Sequence, residues 1–142
     1  MITITIPGVP VAKGRPKAVR MGKTGIRMYT PTKTASYEAT CRIFAMIAMG
    51  GNAPLSEPLA VSFILHMPIP SSLSQKKQAE LVGKPHTKKP DASNIVKAVE
   101  DALNGIVWND DSQISLLTAN KVYSTEPRVE VRVSPIVELE AA

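Results

Sequence analysis

Residues Lys88–Asp111 read KKPDASNIVKAVEDALNGIVWNDD. Ile95, Val99 and Ala102 recur at i, i+4 and i+7, with Val96 and Leu103 alongside. That spacing puts an apolar stripe on one face of an α-helix. It predicts a helix from about Ala92 to Asn104, with Gly105 as its C-terminal stop. The opposite face carries Asn94, Lys97 and Asp101, and Lys97 can pair with Asp101 across one turn. Acidic residues stand at both ends: Asp91 at the entrance, Asp110 and Asp111 after the link GIVWND. Each has an ordinary role. Asp91 or Ser93 caps the helix, which stabilises by roughly 0.5–2 kcal/mol, and Asp110-Asp111 makes a polar turn before a strand.

Taken together, these residues permit more. A helix of this span is about 20 Å long. The link can carry the chain back along it at up to ~3.3 Å per residue, so Asp111 can approach Asp91. Hard cations such as Mg²⁺ take oxygen ligands, and one or two carboxylates plus waters and phosphate oxygens suffice. Mn²⁺ accepts the same donors. Lys97, next to these acids, can hold a phosphate or offset charge that develops on it.

Outward from this stretch, MITITIPG alternates Thr with Ile, the pattern of a half-buried strand. LAVSFILHMPIP is a nearly continuous apolar run, expected to be a strand central in a sheet. His66 near its end reads as an ordinary strand residue. SQISLLTANKVYS and EPRVEVRVSP are the last two strands, and the second should expose one face. TKTASYEATCRIFAMIAMG reads as a helix with Tyr37, Cys41, Phe44 and Ala48 on its inner face, stopped by Gly50-Gly51. SSLSQKKQAELVGK is a short polar helix after a Ser cap. These elements predict an α/β fold in one domain over residues 1–142: a mixed sheet of about four strands with helices packed on it.

Between the first strand and the first helix lies an irregular basic segment, with room for a loose hairpin around Gly22–Gly25. Lys13, Arg15, Lys17, Arg20, Lys23, Arg27 and Lys33 fall in it without one acid. Such an arm suits phosphate contacts, as do Lys88 and Lys89. The whole chain has 17 Lys and Arg against 12 Asp and Glu, a balance that fits a polyanionic partner. Its one cysteine, Cys41, excludes an intrachain disulfide and multi-cysteine zinc sites. No stretch reaches the ~18 apolar residues of a membrane span, and the N-terminus lacks the parts of a signal peptide. A cytoplasmic protein is expected.

The stretch KPDASNIVKAVEDALNGIVWNDDSQI resembles the RusA-type Holliday-junction resolvases, endonucleases of phages, prophages and bacteria. The family pattern is roughly K/R-P-D-x-D-N-x-x-K-x-x-x-D-A-L-N-G, an apolar link, then D-D-x-Q-I/V. Pro90, Asp91, Asn94, Lys97, Asp101, Ala102, Leu103, Asn104, Gly105, Asp110, Asp111, Gln113 and Ile114 match it. GRPKAV and MYTPTKTASYE look like the amino-terminal segment of the phage-like branch, so the likeness spans roughly Ile2 to Val133. It implies a Mg²⁺-dependent endodeoxyribonuclease that nicks four-way DNA junctions symmetrically in recombination and repair, leaving 5′-phosphate and 3′-hydroxyl ends. It implies metal ligation and catalysis by Asp91 and Asp111, a supporting acid in Asp110, the site lysine in Lys97, and a homodimer. Two-fold symmetry suits two like strands cut together.

One position departs. The family's second helix-entrance aspartate is Ser93 here. Either Asp110 takes over that ligand position, or Ser93 binds through a water and the site is weaker, or the chain keeps junction binding without cleavage. The alternative function is therefore a catalytically silent DNA-binding module. A third reading, a small regulatory protein whose basic loop meets an acidic partner, predicts no affinity for DNA.

Overall fold

The computed structural model describes residues 1–14, 17–22, 25–29 and 32–136, with only the backbone described at 17–21 and 26–29. The elements run β1 (Ile2–Pro7), β2 (Lys17–Met21), β3 (Gly25–Tyr29), α1 (Thr32–Met49), β4 (Leu59–Pro68), α2 (Gln75–Leu81), α3 (Ala92–Leu103), β5 (Ile114–Ser124) and β6 (Arg128–Pro135). A single 3₁₀ turn, Asp111–Gln113, leads into β5.

Four strands form a mixed sheet in the order β1-β6-β4-β5. β4 runs parallel to β5 and antiparallel to β6, which is antiparallel to β1. The parallel pair is joined by a crossover that contains α2 and α3, the long connection that parallel neighbours require. β2 and β3 form a separate antiparallel hairpin that turns at Gly22, whose φ of 68° suits a residue without a Cβ.

Strand parity sorts the sheet into two faces. One carries Ile4, Ile6, Val61, Phe63, Leu65, Met67, Val129, Val131 and Val133, all buried against α1 and α3. At roughly 1.5–3 kcal/mol for each fully buried large apolar side chain, this layer is the main source of stability. The other face shows Thr3, Thr5, Ala60, Ser62, Ile64, His66, Arg128, Glu130 and Arg132, none of them buried. The apolar run of β4 is central, as its sequence predicts, but it is packed on one face only. Its residues alternate between buried and half-buried, because no helix covers the second face among the described residues.

In α1 the buried stripe is Thr34, Tyr37, Cys41, Ala45 and Met49. From Tyr37 on, an i+4 row through Ala45 and Met49 therefore replaces the Phe44 and Ala48 of the sequence expectation: Phe44 is half-buried and Ala48 exposed. α3 buries Ile95, Val96, Val99, Ala102 and Leu103 as expected, with Ala98 added. Ser74 caps α2 by accepting the Lys77 N–H, also as predicted. The segment after α2 pairs with the outer edge of β5: Gly83 N–H donates to Tyr123 O and His86 N–H to Lys121 O. Nothing described pairs with that edge from Ser115 to Asn120, and Leu116 and Leu117 are 56% and 48% exposed. No helix is long and apolar enough to cross a membrane among the described residues.

Candidate active site

The site is built on α3 and the chain that returns beside it. Its entrance is held from below by Lys121 of β5, whose ammonium donates to the carbonyls of Lys88 and Pro90. Asp91 is the N-cap residue, with extended backbone, yet its side chain makes no cap hydrogen bond. Its carboxylate is exposed and uncommitted to the role that its position would ordinarily give it. Ser93 and Lys97 follow on the same side. Lys97 Nζ lies 3.1 Å from Asp101 Oδ1. That hydrogen bond, with the charges of Asp101, Asp111 and Glu100, holds the Lys97 ammonium above the usual lysine range.

The link after α3 is compact. Gly105, at φ 81°, donates its N–H to Trp108 O at 2.7 Å. Val107 and Trp108 plug the end of the helix, fully buried, and the indole N–H donates to Asn104 Oδ1 at 2.6 Å. Leu55 donates its N–H to Val107 O, and its carbonyl oxygen accepts the Asn109 N–H, which fixes the return path. Asp110 then caps the 3₁₀ turn: its carboxylate accepts the Ser112 N–H and its own N–H donates to Gln113 Oε1. The bond from Ser112 lowers the Asp110 carboxyl below the usual range. Gln113 reaches on to the carbonyls of Leu55 and Glu57, so the turn is anchored to the chain entering β4.

This arrangement presents Asp111 to α3 within electrostatic reach of Lys97 and Glu100. Burial raises the Glu100 carboxyl, and the facing Asp111 charge raises it further. Ser93, Val96, Lys97 and Glu100 of α3, with Leu117 and Ala119 of β5, line one groove of about 350 Å³. Lys97, Asp111, Asp101 and Glu100 are thus brought together. Asp91, Asp110 and Asp111 do not form one three-donor cluster: among the described residues no three His, Cys, Asp or Glu side chains gather to hold an ion.

Of the basic residues, Lys88 and Lys89 are exposed on the loop before Asp91. Lys13 is not free in solvent. It pairs with Glu38 of α1 and with Asp101 of α3. Arg15 lies outside the described residues, as do the side chains of Lys17 and Arg20. Two site residues escaped the sequence reading. Glu100 sits seven residues from Ser93, a spacing that keeps one helix face. Lys121 is a lysine at the inward parity of β5, opposite buried Leu65 in the register, and a charge at that parity was the available signal.

The model of the family described as endodeoxyribonuclease RusA matches residues 7–134. An uncharacterized protein of Bacillus subtilis (strain 168), YqaN, is 36% identical over 142 residues, covering 95% of this chain and 96% of that protein.

Proposed function

Since the chain belongs to the endodeoxyribonuclease RusA family, we propose that it resolves Holliday junctions by symmetric, Mg²⁺-dependent nicking. Two observations support this reading: the helix-entrance carboxylate of Asp91 makes no cap hydrogen bond, and the carboxylate of Asp111 returns within electrostatic reach of Lys97. The donor chemistry fits a magnesium ion, which is held by one or two carboxylates and completes its shell with waters and phosphate oxygens rather than a protein cage. Asp91 and Asp111 are the residues that would hold it. Asp110, spent on capping its turn, supports Asp111 from the backbone side. A bound ion would acidify the attacking water and offset charge on the scissile phosphate.

The protein's own groups do the rest. Lys97 contacts the phosphate and offsets charge in the transition state. Lys88, Lys89 and the arm residues Arg15, Lys17 and Arg20 hold the flanking backbone through charge. A second copy supplies the second nick, and the uncharged edge Ser115–Asn120, with which no described residue pairs, supports such pairing.

The test is incubation of the purified chain with a synthetic four-way junction, with and without Mg²⁺ or Mn²⁺, beside linear duplex of the same sequence. Paired nicks in the junction alone, and only with metal, are expected. Tight junction binding without nicks in either metal would favour the silent binding module, the reading that Ser93 and the absence of a described three-donor cluster support.

A further inference from the structure

Lys13 begins the basic arm, and composition alone makes it a phosphate contact. Its surroundings argue otherwise. Its backbone N–H donates to Asn94 O on α3 at 2.9 Å, and Gly14 N–H donates to Thr34 Oγ1 on α1 at 2.9 Å. Thr34 is buried, and its hydroxyl donates to Ala12 O. Residues 12–14 are therefore stitched between the two helices through their own main-chain groups and the Thr34 hydroxyl. The side chain adds to this. Its ammonium is bonded to Glu38 Oε1 and lies 3.2 Å from Asp101 Oδ2. An ammonium has three donors, and two of these are directed at carboxylates. The Lys13 side chain is 23% exposed against 56% for Lys97.

Asp101 is the shared element. One oxygen faces Lys13 and the other faces Lys97 at 3.1 Å. An isolated i, i+4 pair on an exposed helix face is worth only about 0.3–0.5 kcal/mol, too little to hold a lysine in one place. With Oδ2 tied to Lys13, and Lys13 tied to Glu38 and the backbone of α3, the carboxylate of Asp101 has a fixed plane. Lys97 is then held toward the groove it shares with Glu100.

We infer that Lys13 is a positioning residue for Lys97, acting through Asp101, and not a contact to DNA. The inference rests on the reading that Lys97 works at the scissile phosphate. It also makes the root of the arm and the site lysine one mechanical unit, because the residue that starts the arm orients the carboxylate that holds Lys97.

The experiment compares the full chain with Lys13→Met, Lys13→Arg and Asp101→Asn. Junction affinity is measured against salt, single-turnover cleavage at saturating junction, and the Lys97 ε-carbon resonance in ¹³C-lysine-labelled protein. Lys13→Met should leave the salt dependence of binding at its wild-type slope and slow saturated cleavage about 10- to 100-fold, the scale of a small misplacement. The Lys97 resonance should move in Lys13→Met and in Asp101→Asn, and return in Lys13→Arg, which can still bridge Glu38 and Asp101. A slope reduced by about one, with weaker binding and normal saturated cleavage, would make Lys13 a phosphate contact and overturn the inference. So would a Lys97 resonance indifferent to Lys13→Met. A wild-type chain that never cuts junctions would defeat the proposed function instead, while the resonance and the salt slope still decide the role of Lys13.

Discussion

Lys121→Met tests whether the loop carrying Asp91 is held in place for chemistry. Methionine keeps the stem that covers inward-facing β5 and removes only the ammonium. Two carbonyls, those of Lys88 and Pro90, lose their charged donor. A hydrogen bond to a charged group nets about 1.5–3 kcal/mol where it is shielded. Lys88 is exposed, so water replaces much of its share, and the combined loss should be about 1–2 kcal/mol. In a chain of 142 residues that lowers Tm by about 3–8 °C. Activity should fall further than stability does. With the segment before α3 untied, Asp91 no longer has a fixed place, and saturated junction cleavage should drop about 10-fold or more well below Tm. His86 provides an internal control. Burial lowers its imidazole, and the charges of Lys121 and Lys88 lower it further, so in Lys121→Met it should titrate closer to the ordinary histidine range by NMR. The reasoning is refuted if cleavage at saturation is normal while Tm falls and His86 shifts as stated. It is refuted differently if the salt slope of junction binding falls by about one, which would make Lys121 a phosphate contact.

Other outcomes follow from the same geometry. Asp111→Asn should cut junction cleavage at least about 100-fold and leave junction binding intact in a gel-shift assay; cleavage at the normal rate would remove Asp111 from the site. Glu100→Gln should stabilise the metal-free protein at neutral pH, because burial and Asp111 hold the native carboxyl above its unfolded range. The folded state then disfavours the ionised form, so the gain should shrink as pH falls through the raised value and vanish below the ordinary range near 4.5, as followed by urea unfolding. Burial pushes the Cys41 thiol up to about 12. It should resist thiol reagents until the protein unfolds, and stability should decline as pH rises past about 9, where only the unfolded thiol ionises.

Much of this was legible in the residues, and unevenly so. The stripe of α3 and its stop at Gly105 follow from spacing and from the left-handed backbone that glycine accepts. The alternation in β1 and β6 gave their faces directly. The apolar run of β4 gave its central place, but a run describes hydrophobicity and not coverage: Ile64 lies on a side that no described helix covers. In α1, a drift of one residue between i+3 and i+4 rows exchanged Ala48 for Met49. The site followed the same division. Asp91, Lys97 and Asp111 stand out as candidates in the sequence through their shared helix and its return. The ties of Lys121 and Lys13 were not, because each joins residues far apart in the chain, 31 positions for Lys121 and Pro90 and 25 for Lys13 and Glu38. A charge count cannot tell a lysine facing solvent from one facing two carboxylates.

The bare length of β5 bears on how the protein behaves in a tube. Ser115–Asn120 reads SLLTAN, six residues without a charge or a proline. Charges, prolines and bulges are the usual guards that keep sheet edges from joining indiscriminately. The strand's one lysine, Lys121, lies beside the part already covered by residues 83–86 and is turned inward to the loop before α3. The protein's net charge of +5 keeps copies apart at a distance, but salt screens that repulsion within about 10 Å at 0.1 M. An ionic strength high enough to strip polyanions from a basic protein is therefore one at which such edges meet, and concentrated, salt-washed preparations are where this strand governs solubility.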